Sequence, residues 1–178
     1  MVPPDHRPGG AVEEELRALS VAYAESVDAR DGDRFVTLFA PDGELVVPDR
    51  RDGDRPPLVR RGPEQLRKVP GALRRYLRTV HEVGATSYVV DGSVASGTVA
   101  GEAHHVARSD RGLTDTVWTI EYRDDYRRVD GTWCFGRRVL HVLWTNERPV
   151  TGDGSVGSDG SDRGAPGRGA GPPRTLGS

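Results

Sequence analysis

The chain has 178 residues, enough for one domain with a substantial core. Its 25 basic and 27 acidic residues are interspersed and nearly cancel, leaving a formal charge of −2, which argues against a nucleic-acid-binding surface. A single cysteine, Cys134, excludes an internal disulfide and a cysteine-based metal cluster.

Residues 1 to 10, MVPPDHRPGG, predict a loose arm. They lack the apolar core of a signal peptide, and no later run approaches a membrane span, so a reducing cytoplasm is the expected location. Arginine dominates the basic residues, with Lys68 the one lysine, and Ala, Gly, Asp and Val are abundant. That bias fits a bacterial source of high G+C content.

Order is expected from Ala11. Val12, Leu16, Leu19, Tyr23 and Val27 recur at helical spacing and define a first helix. Gly32 interrupts it, and Asp33 is placed to cap a second short helix running to Phe39, which the turn residues of APDG close. Residues 44 to 48, ELVVP, predict a short strand. The charged, proline-bearing stretch 49 to 57 predicts an exposed, mobile loop. A third helix begins at GPEQLRKV, with Pro63 in its first turn, and breaks at Pro70 and Gly71.

From Thr79 the pattern becomes strand and turn. HEVGATSYVV and SVASGTVAGEAHHVAR flank a turn at Asp91 and Gly92, and a second turn at Ser109 to Gly112 leads to strands over 114–128 and 132–145. The last two meet at Asp130 and Gly131, a strong hairpin signal. Helices first and an antiparallel meander last argue for an α+β fold. After Val150 the apolar residues almost vanish, so 151–178 is expected to stay disordered, leaving 11–150 as the domain.

Strand parity sorts the histidines. His105 shares a face with Ala103, Gly101 and Val99, a small apolar series suited to a cavity, whereas His104 lies with Glu102. His141 has the parity of Val139 and Leu143, and Leu140, Val142 and Trp144 share the other; parity alone does not choose between these faces. Trp118, Ile120 and Tyr122 share one parity and form an aromatic wall if that side is inward, which Trp144 would join. Tyr23 lies on the apolar stripe of the first helix, and Asp28 lies on its flank near the C-terminus. A carboxylate there opposes the helix dipole, which a protonated histidine would offset. Without further constraint, Asp28, Asp31 and Asp33 also read as a solvated helix end. Cys134 reads as a small buried filler. No HxH, HxxxH or HExxH spacing supports a metal site, and no glycine-rich loop supports a nucleotide cofactor.

YAESVDARDGDRFVTLFAPDGEL, TVHEVG and YRRVDGTWCFGRRVL, in that order and spacing, resemble the SnoaL-like branch of the NTF2-like superfamily over about residues 12 to 146. Scytalone dehydratase and bile acid 7α-dehydratase belong to that group. The resemblance implies a cone with helices packed on a curved antiparallel sheet around one deep pocket. It implies a catalytic dyad of Asp28 and His81, assisted by Tyr23, with His105 as a second pocket histidine and proton donor. Two tyrosines that hold a water in scytalone dehydratase fall at Val27 and Val47, and its later serine and asparagine fall at Ile120 and Tyr122. The implied pocket is therefore more apolar, with carbonyl activation changed. Val27, Val47, His105, Trp118, Ile120, Tyr122, Leu140 and Trp144 are its expected substrate-binding residues. These features imply a cofactor-independent dehydratase or isomerase, of lyase or isomerase type, acting on a hydrophobic polycyclic or polyketide-derived metabolite of secondary metabolism. A polyketide or pericyclic cyclase and a non-catalytic binding or accessory subunit are the alternatives. A homodimer or higher homo-oligomer through the outer face of the sheet is expected, with neither nucleic acid nor membrane as partner.

Overall fold

The computed structural model describes residues 9–48, 56–110 and 112–152. The expectations for most of the N-terminal arm, for the heart of the 49–57 loop and for nearly all of the C-terminal tail lie outside these residues. Helix α1 (Gly9–Asp28) begins slightly before the first apolar residue of its stripe. Leu16, Tyr23 and Val27 are buried along that stripe, with Ser20 and Ser26 buried beside them. Helix α2 (Gly32–Thr37) is capped by Asp31 and not by Asp33: the Asp31 carboxylate accepts the backbone N–H of Arg34 at 2.8 Å.

Strand β1 (Phe39–Val47) absorbs the APDG segment expected to be a turn. Phe39 pairs with Phe135 and Glu44 with Arg137, and an irregularity between those two pairs accommodates the intervening residues. Strand β2 (Leu58–Arg61) was not foreseen. It is exposed at all four positions, so it carries no alternation to detect. Helix α3 (Gly62–Leu66) follows, then a 3₁₀ segment (Pro70–Arg75). The meander comprises β3 (Arg78–Asp91), β4 (Val94–Ser109), β5 (Gly112–Val129) and β6 (Thr132–Val150). Asp130 and Gly131 take the left-handed backbone (φ 50° and 82°) that a tight hairpin requires.

The six strands run in the order β2-β1-β6-β5-β4-β3. The sheet is mixed, not wholly antiparallel: β1 lies parallel to β6, and every other pair is antiparallel. Its inner face meets α1, and Tyr23, Phe35, Phe39, Tyr122, Tyr126 and Phe135 form the aromatic centre of the core. Beside this centre Arg138 is buried with Asp124, their side chains 1% and 0% exposed. Two hydrogen bonds of 2.9 Å join them in a fork. No helix among the described residues is long and apolar enough to cross a membrane.

Candidate active site

Asp28 ends α1, and His81 enters β3 directly opposite it. His81 Nδ1 lies 2.7 Å from Asp28 Oδ1, and the His81 backbone N–H donates to Oδ2 at 2.8 Å. Thr79 Oγ1 donates to Oδ1 at 2.8 Å. A carboxylate can only accept, so Nδ1 of His81 carries a proton, and in the neutral ring the lone pair is then on Nε2. Burial pushes the Asp28 carboxyl up, but the hydrogen bonds and charge of His81, with the Thr79 bond, outweigh it and hold the group below its ordinary range.

The offset to the helix dipole comes partly from a residue the sequence reading passed over. Arg30 takes a left-handed backbone (φ 61°) just beyond α1. Its guanidinium folds back to donate to the Val27 and Asp28 carbonyls and to Thr79 Oγ1, the last at 2.6 Å. A cation thus sits on the last carbonyls of the helix, and Thr79 links it to Asp28.

Tyr23, Ile120, Tyr122 and Arg138 border a small hollow with His81. At about 10 Å³ it holds about one water, so a larger ligand must displace side chains to enter. The rings of Tyr23 and Tyr122 meet edge to face with centroids 5.6 Å apart, and burial raises both phenols. The Arg138 guanidinium lies over both rings, 4.3 Å and 4.0 Å from their centroids.

His105 is buried between Tyr76 and Trp118, with ring centroids at 4.7 and 4.5 Å, and meets His81 edge-on at 5.9 Å. Its Nδ1 lies 3.2 Å from the Thr116 carbonyl, which can only accept. Burial, reinforced by the His81 charge, lowers its pKa from the ordinary 6.5 to about 4. His105 is therefore neutral near pH 7, with one ring N–H to donate. The unfolded chain takes up this proton below about 6.5, while the native chain resists it until about 4. Stability should fall by up to about 3 kcal/mol as pH drops through that window. Denaturation midpoints measured from pH 7 to pH 4.5 should show this slope, and His105→Phe should flatten it; an unchanged slope in the variant would reject the assignment.

The remaining expected pocket residues separate. Ile120 and Val27 are buried, and Val47, Trp118 and Leu140 are partly buried against the core. Trp144 does not join the wall: it is 62% exposed. Val142 pairs with Ile120 and Trp144 with Thr119, leaving Leu143 as an extra bulged residue. That bulge reverses parity beyond Val142 and turns Trp144 outward. His141, opposite Glu121, lies on the outer face too. His104 faces outward and pairs with Asp115 at 2.8 Å, which Arg148 also contacts at 3.1 Å. Cys134 is buried, and burial raises its thiol pKa.

The arrangement can take a proton at His81 Nε2 and return one within a largely apolar enclosure. Sequence reasoning missed Arg30, Thr79, Asp124 and Arg138. Asp124 has the inward parity of Ile120 and Tyr122, so a charge at an inward position was the available signal.

Residues 11–139 match the family model described as a SnoaL-like domain. Among solved structures, Rv3472, a function-unknown protein from Mycobacterium tuberculosis, is 27% identical over 80% of this chain and 76% of that chain, with a TM-score of 0.64. A candidate scytalone dehydratase from Novosphingobium aromaticivorans is 21% identical over 84% of this chain and 97% of that one, with a TM-score of 0.65. A type 2 hexachlorocyclohexane dehydrochlorinase, LinA, is 18% identical over 78% and 90%, also with a TM-score of 0.65. No match is found among curated proteins.

Proposed function

This chain belongs to the SnoaL-like family, and from that premise we propose that it is a cofactor-independent acid–base enzyme of lyase or isomerase type. The observation that carries the reading is the Asp28–His81 pair, with both carboxylate oxygens engaged and the imidazole tautomer fixed. The substrate proposed is a hydrophobic, polycyclic or polyketide-derived metabolite with a hydroxyl β to a carbonyl. His81 Nε2 takes the proton beside the carbonyl, giving an enolate, and the C–O bond to the hydroxyl then breaks. Returning the proton to the departing oxygen releases water and leaves the conjugated enone, with His81 restored.

In this reading the Tyr23 and Tyr122 hydroxyls, which border the hollow with His81, can donate to the substrate carbonyl. Trp118, Ile120 and Leu140 supply the apolar wall. His105, packed on Trp118 at 4.5 Å, places an imidazole at that wall to hydrogen-bond a substrate hydroxyl. A bicyclic β-hydroxy ketone, 3-hydroxy-1-tetralone, tests the reaction class: its dehydration yields 1-naphthol, followed by fluorescence. Neither 1-naphthol nor exchange of the hydrogens beside the carbonyl in D₂O would turn the reading toward a template cyclase or a binding subunit.

The chain is also proposed to pair with a second copy of itself through the outer sheet face. Leu143 and Trp144 are more than half exposed there. The same strands carry Glu121, Arg123 and Arg137, charges that a twofold-related copy can match. Sedimentation at micromolar concentration should give a mass above that of one chain, and Trp144→Glu should reduce it. A monomeric wild-type mass would overturn the proposal.

A further inference from the structure

A second hollow, a cleft of about 550 Å³, opens between the end of α1, the start of α2 and the α3–3₁₀ segment. Four cations, Arg30, Arg67, Lys68 and Arg74, line it with two carboxylates, Asp31 and Asp33. Both carboxylates are already engaged: Asp31 caps α2, and Asp33 meets Arg67 at 2.7 Å. Lys68 reaches Glu64 at 2.9 Å, but both side chains are more than two-thirds exposed, so this pair is weak and readily exchanged.

Arg74 differs from its neighbours. Among the described residues no carboxylate pairs with it, and a Cβ built on Gly71 would lie 3.5 Å from its Nη1, placing the guanidinium over that glycine on the cleft wall. The Arg74 charge opposes that of Arg30, which is anchored by Thr79 and the carbonyls of the α1 end. A chain with formal charge −2 therefore holds two mutually repelling guanidinium groups in one concavity. Such a pair is satisfied by an anion with several acceptor oxygens, each accepting a charge-assisted N–H.

We propose that this cleft is an oxyanion site, holding a carboxylate or phosphate group between Arg30 and Arg74 with Lys68 at its rim. It stands apart from the catalytic reading and holds whether or not the dyad turns over a substrate. Because Arg30 bonds Thr79 and Thr79 bonds Asp28, occupancy is felt at the dyad.

Titration of the full chain with inorganic phosphate, followed by amide ¹H–¹⁵N spectra at constant ionic strength in chloride, tests the site. Saturable shifts at Gly32, Gly71 and Thr79 are expected. Arg74→Glu should weaken binding by at least about tenfold while Arg74→Lys retains most of it. A 2-naphthoate competition separates the sources. Displacement of phosphate with added shifts at His81 and Trp118 marks an anion carried by an organic ligand; phosphate binding without competition marks a free anion. No saturable shift beyond the chloride control, or unchanged affinity in a folded Arg74→Glu variant, overturns the proposal.

Discussion

Asp28→Asn and His81→Ala should each lower turnover of 3-hydroxy-1-tetralone by roughly 10²–10⁴-fold, the range for loss of a positioned acid–base group. In Asp28→Asn the side-chain amide can present N–H where a carboxylate accepted. The Thr79 hydroxyl, His81 Nδ1 and His81 backbone N–H then compete for one remaining oxygen, and the imidazole loses its fixed tautomer. The double variant should be scarcely slower than the worse single one, because the two groups act as a unit. Thr79→Val removes one bond to Asp28 and should produce a smaller loss, with the pH–rate profile displaced. Near wild-type turnover in both single variants, with native unfolding transitions, would dismiss the dyad.

The largest stability effect is expected at Asp124. Replacing it with alanine leaves the Arg138 guanidinium in the core with no carboxylate, and Tyr126 loses the acceptor that its hydroxyl meets at 2.7 Å. Loss of one partner of a buried ion pair costs about 3–5 kcal/mol, a large share of a domain's net stability. The pair is not irreplaceable in energy: Asp124→Leu with Arg138→Met removes both charges and should recover most of the loss. Urea midpoints of the single and double variants decide this. A double variant as unstable as Asp124→Ala would show that the stacking of Arg138 on Tyr23, Tyr122 and Phe135 carries the stabilisation instead.

How much of this molecule was legible in its residues depended on whether local signals survived packing. The stripe of α1 and the turn at Asp130 and Gly131 are local and unambiguous, so helix and hairpin follow directly. Parity placed His105 inward and His104 outward because β4 and β5 pair without a register break. The same rule failed for Trp144, since one extra residue in β6 inverts every later position. β2 escaped notice because an edge strand with four exposed residues need not alternate. Arg30 was hidden for a different reason: its role depends on a left-handed backbone and on Thr79 arriving from a distant strand. Asp31 and Asp33 lie two residues apart, and only the extended backbone at Asp31 decides which one caps α2.

The parallel pairing of β1 with β6 sets an order in time. Phe39 can meet Phe135 only after nearly all of the domain has been made, since its partner strand is the last in the sequence. The central sheet therefore closes late, across one of the longest loops the fold contains, and long-range pairing of this kind slows folding. Until then Phe35 and Phe39 lack the strand that covers them, and Tyr23 lacks Arg138. A chain emerging from the ribosome presents Asp28 and His81 before Ile120, Tyr122 and Arg138, which border the hollow beside His81, so the enclosure is complete only when the later strands dock.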